Sequence, residues 1–226
     1  HEPCIELQIA GVQKTSLIDF PNKISTVLFT IGCNMKCPYC HNKQISFDFV
    51  CPPQPMMMDE VFSLIQERLG FIDGISISGG EPTIQKDLLD FCFEVKKRFS
   101  LLIKVDTNGS NPDVIDELIK KKLVDYLALD IKTSFQRYKG SLGVDGGNIL
   151  KSYNIIKDSG VDYELRMTCY PDFISTEVID ELLPYLNYRD RLFIQKCNNE
   201  NTYDAGQLEL FRNIFKEQGY GQTGIR

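Results

Sequence analysis

The sequence predicts an α/β protein built on a parallel sheet. Three observations carry that expectation. Short β-branched runs alternate with helical patterns in six consecutive units. The chain has 226 residues, enough for one domain with a full core and no disulfide staples. Its 42% hydrophobic and 25% charged residues match a globular protein and exclude disorder, collagen and a coiled coil as whole-chain readings.

The units follow in order. Ser25–Ile31 (STVLFTI) reads as a buried strand. Asp59–Leu69 is helical, with Asp59 at the N-cap. Gly74–Ser78 is a strand, and Gln85–Phe99 is a helix with apolar residues at Leu88, Leu89, Phe91, Cys92 and Val95. Leu101–Val105 is a strand; Pro112–Lys121 is a helix capped by Asn111, with proline at its first position. Tyr126–Ile131 is a strand, followed by a helix over Asn148–Ser159 that Gly160 ends. Tyr163–Thr168 is a strand and Thr176–Leu186 a helix capped by Ser175. Arg191–Gln195 is the sixth strand, and Asp204–Gln218 is the last helix, closed by Gly219. Between the first strand and the first helix, Asn42–Met58 holds Pro52, Pro53, Pro55 and the run Met56–Met57–Met58. It reads as a loop covering a site, or as a surface loop whose methionines fill gaps in the core.

Charge and cysteine content narrow the function classes. With 25 basic and 31 acidic side chains the net charge is −6. An acidic chain is a poor general nucleic-acid binder, and Lys96–Lys97–Arg98 and Lys120–Lys121–Lys122 read as solvated helix faces. No apolar run approaches the roughly 18–20 residues of a membrane span, and no signal segment opens the chain. The expectation is a cytoplasmic protein. Eight cysteines in such a chain point to metal rather than to disulfides. A single domain is expected, with a core over about 20–196, a lead-in over 1–19, and a helix and tail over 197–226.

Two architectures fit the rhythm, an open doubly wound sheet and a whole or partial barrel. Both place function at the carboxyl ends of the strands. The first strand is followed by Gly32–Cys33–Asn34–Met35–Lys36–Cys37–Pro38–Tyr39–Cys40–His41. Three soft thiolate ligands on so short a loop suit zinc, copper(I) or an iron–sulfur cluster. A C-x-x-C-H haem attachment leaves Cys33 unexplained, and a zinc site could enlist His41. A cluster with three protein ligands leaves one iron open to a small molecule.

Later strands end in further polar groups. Ser78–Gly79–Gly80–Glu81–Pro82 joins two glycines, which allow close backbone approach, to a carboxylate. Asp106–Thr107–Asn108–Gly109 carries an Asn-Gly turn signal. Asp130 and Lys132 alternate with Ile131 and can enter one cavity. Arg166 lies inside an apolar strand, where it needs a carboxylate, either a ligand's or that of Glu164 or another acidic neighbour.

These features together resemble the radical S-adenosylmethionine (SAM) superfamily. Gly11–Val12–Gln13–Lys14–Thr15–Ser16–Leu17–Ile18–Asp19–Phe20–Pro21 before the cysteines, and Cys40–His41–Asn42 at their end, resemble the activating enzymes of glycyl-radical proteins. Among these, the group serving the anaerobic ribonucleotide reductase is the nearest likeness. The resemblance implies a partial (β/α)6 TIM-like barrel, open on one side. It implies that Cys33, Cys37 and Cys40 ligate three irons of one [4Fe–4S] cluster, the fourth iron chelating SAM. Tyr39, Cys40 and His41 would lie near the adenine. Gly79, Gly80 and Glu81 would meet the amino group of SAM. Asp106, Asn108, Asp130 and Lys132 would line its ribose and methionine, and Arg166 would take its carboxylate. Gln195 stands where other branches carry a histidine and would contact SAM or substrate. Asp106 and Asp130 would also form a monovalent-cation site beside SAM. No second C-x-x-C occurs among Cys4, Cys51, Cys92, Cys169 and Cys197, so one cluster is expected.

The implied chemistry is one-electron reductive cleavage of SAM to methionine and a 5′-deoxyadenosyl radical. That radical would take a hydrogen atom from a glycine of a partner such as anaerobic ribonucleotide reductase. Flavodoxin or ferredoxin would supply the electron, with no role for nucleic acid or membrane. Two alternatives remain at this point. One is a radical SAM enzyme that modifies a small molecule or peptide. The other is a non-enzymatic zinc or electron-transfer module built on the three cysteines and His41.

Overall fold

A computed structural model of the chain describes residues 5–51, 53–197 and 202–226, so Cys4 and Pro52 lie outside the described residues. Eight strands form one sheet in sequence order. β1 (Ile9–Ser16) runs antiparallel to β2 (Ser25–Thr30). β3 (Gly74–Gly79), β4 (Leu102–Thr107), β5 (Tyr126–Asp130), β6 (Asp162–Cys169), β7 (Leu192–Lys196) and β8 (Thr223–Ile225) continue it in parallel. β1 and β8 are the two edges and do not pair with each other, so the barrel is partial and open.

Helices link the parallel strands. α1 (Lys43–Ser46) and α2 (Met58–Glu67) follow β2, α3 (Leu88–Phe99) follows β3, and α4 (Pro112–Lys120) follows β4. α5 (Tyr138–Leu142) and α6 (Gly146–Asp158) follow β5, with α7 (Thr176–Leu182) after β6 and α8 (Ala205–Glu217) after β7. Side chains alternate along each strand. Ile75, Ile77, Ile103, Val105, Leu127, Leu129, Leu165 and Met167 occupy one face and are fully buried in the same core as Phe91, Ile115, Leu118 and Ile156 of the helices. Burying an aliphatic side chain of this size contributes about 1.5–3 kcal/mol. The opposite face carries Ser76, Lys104, Asp106 and Glu164, also buried. The polar residues therefore line the inside of the barrel.

Several boundaries differ from the sequence expectation, each for a local reason. α2 starts at Met58 with no side-chain cap, so Asp59 lies in the first turn instead of capping it. The Met56 amide donates to the Ile9 carbonyl of β1 at 2.8 Å, which fixes the chain just ahead of that turn. Gln85 is extended and sits outside α3, because its side chain bridges Ile31 O and the Gln8 amide. Asn111 does not cap α4; its Nδ2 donates to Thr83 Oγ1. α6 begins earlier than expected because Asp145 caps it by accepting from the Gly147 amide. α7 ends at Leu182, two residues before Pro184. The lead-in and the tail are parts of the sheet, since each supplies one edge strand. No described helix is long and apolar enough to cross a membrane.

Candidate functional site

The loop after β2 is fastened on three sides by hydrogen bonds within the protein. The Gly32 and Cys33 amides donate to Ile45 O and Ser46 O of α1. Asn34 donates to Ser110 Oγ at 2.8 Å and accepts from Asn108 Nδ2 at 3.0 Å, which ties the loop to the end of β4. Asn42 Nδ2 donates to Gly79 O at 3.0 Å, and the Glu81 amide donates to Gly32 O at 2.8 Å, which ties it to the end of β3.

Gly79 and Gly80 are required by that last contact. A Cβ on Gly80 would lie 1.9 Å from Gly32 O, and Gly79 has φ +107° against the backbone of Thr30. The close approach these glycines allow is therefore to the cysteine loop itself. The Glu81 carboxylate is buried and accepts from Thr83 N, Thr83 Oγ1, Thr107 Oγ1 and the Asn108 amide. Burial raises its pKa even against these four donors. Its side chain thus joins the ends of β3 and β4.

Cys33, Cys37 and Cys40 open into one pocket with Tyr39, His41, Gly79, Gly80, Glu81, Asp106, Asn108, Asp130, Lys132 and Arg166. Every site residue expected from the sequence lines this pocket except Gln195, which accepts from Thr168 Oγ1 at 3.3 Å and stands behind it. Thr168, Thr107, Ser78 and Asn42 also line the pocket, and sequence reasoning misses them. Ser78, Thr107 and Asn42 stand inside the quoted motifs without being singled out, and Thr168 is a small polar strand residue with no motif to mark it. Tyr39 packs its ring at 5.2 Å from Tyr170 and 5.4 Å from Phe173. Its hydroxyl is buried beside the Cys37 thiol and meets no partner at hydrogen-bond geometry among the described residues.

The charged groups form a chain across three strands. Lys104 pairs with Asp106, and Arg166 Nη1 donates to Asp106 at 3.0 Å. Arg166 Nε donates to Asp130 at 2.8 Å, and Lys132 Nζ to Asp130 at 3.2 Å. Arg166 therefore finds its carboxylates in Asp106 and Asp130, and Glu164 is taken by Arg226. Burial works to raise Asp106, but the charges of Arg166 and Lys104 outweigh it and hold the carboxyl at about 2. Asp130 is lowered in the same way, with Arg166 and Lys132 overcoming its burial. Lys104 is absent from the sequence-based site, although a lysine in the apolar strand LLIKVD, two residues from Asp106, carries the same signal that marks Arg166.

The donor set fits an iron–sulfur cluster. Cys33 Sγ receives the Met35 amide at 3.4 Å and Asn108 Nδ2 at 3.9 Å, hydrogen bonds of the kind that tune cluster sulfur. Burial pushes the Cys33 thiol up to about 11 and raises Cys37 as well, so loading iron would displace protons. A cluster takes one thiolate on each of three irons, and the pocket supplies three.

Residues 27–182 match the sequence profile of the radical SAM superfamily. A protein of Methanocaldococcus jannaschii, provisionally named a glycyl-radical enzyme activating enzyme, is 39% identical over 202 residues, covering 87% of this chain and 82% of its own. The pyruvate formate-lyase-activating enzyme of Staphylococcus epidermidis is 30% identical over 133 residues, covering 54% of this chain and 51% of its own. In fold, Streptococcus suis SuiB bound to S-adenosylmethionine superposes with a TM-score of 0.61 at 17% identity, over 88% of this chain. The chain spans 48% of SuiB's length in that comparison. A domain of a pyruvate-formate lyase-activating enzyme from Bacteroides vulgatus gives 0.56 at 16% identity, over 68% of this chain and 98% of that domain. The chain belongs to the radical SAM superfamily of enzymes, within the glycyl-radical enzyme activating group.

Proposed function

We propose that this protein binds SAM at a [4Fe–4S] cluster held by Cys33, Cys37 and Cys40 and generates a glycyl radical on a partner protein. The observation that carries the reading is the convergence of the three thiols with Gly80, Asp130 and Lys132 in one pocket at the strand ends. When bound, the cluster and SAM supply the radical chemistry, reductive cleavage of the sulfonium followed by hydrogen-atom abstraction.

The residues of the chain bind, orient and shield. Among the described residues Lys132 has one carboxylate partner, Asp130, and an ammonium has three donors, so it retains donors for the SAM carboxylate. Arg166 already serves two aspartates, and its part in the carboxylate contact is through the donors left over. The carbonyls and amides around Gly79, Gly80 and Cys40 would take the amino group and adenine, with His41 at the exposed rim. Glu81 acts through the backbone it braces. The aromatic group Tyr39, Tyr170 and Phe173 excludes water from one wall. Gln195 reaches the pocket only through Thr168.

A six-unit barrel left open between β1 and β8 leaves room at its side for a peptide loop. The partner in this reading is a glycyl-radical protein such as anaerobic ribonucleotide reductase. The electron donor is a flavodoxin or ferredoxin, and the setting is an oxygen-poor cytoplasm.

The test is anaerobic. The protein is reconstituted with iron and sulfide, reduced, given SAM and assayed for 5′-deoxyadenosine, then mixed with anaerobic ribonucleotide reductase. Reductant-dependent product and a glycyl signal in electron paramagnetic resonance are expected. Product without the glycyl signal would reassign the partner. A reconstituted protein that cleaves no SAM with or without the partner would overturn the reading.

A further inference from the structure

The resemblance assigns Asp106 and Asp130 to a dissociable monovalent cation beside SAM. Such an ion has to compete with protonated side chains for the carboxylate oxygens. The pair offers four oxygens, and each already has a cationic donor from the chain. Lys104 Nζ donates to Asp106 Oδ1, and Arg166 Nη1 to Asp106 Oδ2. Arg166 Nε donates to Asp130 Oδ1, and Lys132 Nζ to Asp130 Oδ2.

Charge balance points the same way. Two carboxylates face one guanidinium and two ammonium groups, which leaves the cluster of side chains net positive. A further cation would have to enter among like charges in a buried setting, where repulsion is poorly screened. The donor set therefore does not fit the ion.

Lys104 is the group that makes the difference. It is 1% exposed, stands two residues before Asp106 on the same strand face, and has Asp106 as its carboxylate partner. A buried lysine without a partner carries a heavy desolvation cost, and a buried carboxylate oxygen stripped of its cation does too. We propose that Lys104 is a built-in counter-ion that takes the place of a dissociable monovalent cation, so that SAM binding by this protein does not depend on Na+ or K+. Lys104 acts through Asp106 and is a positioning residue. The inference rests on the SAM reading above.

The experiment measures equilibrium binding of SAM to the anaerobically reconstituted protein. Chloride salts of Na+, K+ and N-methylglucamine are compared at equal ionic strength. The wild type is expected to give one Kd, within about twofold, in all three. Lys104→Met is expected to bind SAM at least about tenfold more weakly in N-methylglucamine and to recover most of that loss in K+ or Na+. A purely structural role for Lys104 would not produce rescue by a small cation. A wild-type Kd that worsens about tenfold without Na+ or K+ would overturn the proposal. So would a Lys104→Met protein that binds SAM equally well in every salt. If Lys104→Met does not fold, the wild-type series decides the question alone, and Lys104→Arg, which keeps the charge, is expected to stay salt-independent. Failure of a protein with a full cluster to bind SAM in any salt would overturn the SAM reading itself and the inference with it.

Discussion

Arg226 holds Glu164 through two hydrogen bonds, at 2.9 and 3.0 Å, with its guanidinium stacked over the Phe193 ring. Glu164 is 1% exposed and also accepts from the Tyr126 hydroxyl. The pair joins β8 to β6 across β7. Arg226→Ala leaves a buried carboxylate with one neutral donor among the described residues, the Tyr126 hydroxyl. Because the arginine side chain is itself 38% exposed, the loss is discounted to about 2 kcal/mol. Urea unfolding measures it, and Glu164→Gln in the same background is expected to restore part of the loss.

The cluster assignment separates the cysteines by place. Cys37→Ala is expected to lose the full cluster, read as iron and sulfide content, and to reduce SAM cleavage to background. Cys51→Ser is the matched control, since Cys51 is exposed and outside the pocket. Full cluster content in Cys37→Ala would remove that residue from the ligand set.

Two glycines give opposite expectations. Gly80→Ala places a methyl group 1.9 Å from Gly32 O, which must shift the loop bearing Cys33. The expected cost exceeds about 2 kcal/mol, with reduced cluster loading. A methyl group added at Gly140, in the short helix α5, would meet nothing within 4 Å. Gly140→Ala is expected to stabilise by about 0.5–1 kcal/mol, through helix propensity. Thermal unfolding of the two variants side by side checks both signs.

Asp106 makes stability depend on acid. Its folded pKa of about 2 lies below the ordinary aspartate value of about 3.9 that the unfolded chain carries. The ionised form therefore stabilises the fold, fully above about pH 5, and the gain disappears as pH falls from about 4 through 2. From pH 5 to 9 this group contributes no slope. Asp106→Asn is expected to flatten the acid limb of a plot of urea midpoint against pH.

The strands β2 to β7 are legible in the sequence because strands buried on a parallel sheet read as short apolar runs between turn signals. β1 and β8 are not legible as strands. β1 is an edge with two register shifts and a mixed burial pattern, and β8 is three residues long. The pocket residues are legible because polar groups interrupt the apolar strands or follow their ends, and because the cysteine spacing and its flanks resemble a known family. Their partners are not. Glu81 meets Thr107 and Asn108 across more than twenty-five positions of sequence, and only the folded sheet brings them together. The same holds for Arg166, whose need for a carboxylate is evident from one strand and whose actual partners come from two others.

The three-sided fastening of the cysteine loop makes its shape the common property of α1, β3 and β4. Its holds are amide, carbonyl and hydroxyl contacts to those elements. A change at Ser46, Gly79 or Ser110 is thus felt at Cys33 without touching a thiol, and the spacing of the cysteines is only part of what the loop requires.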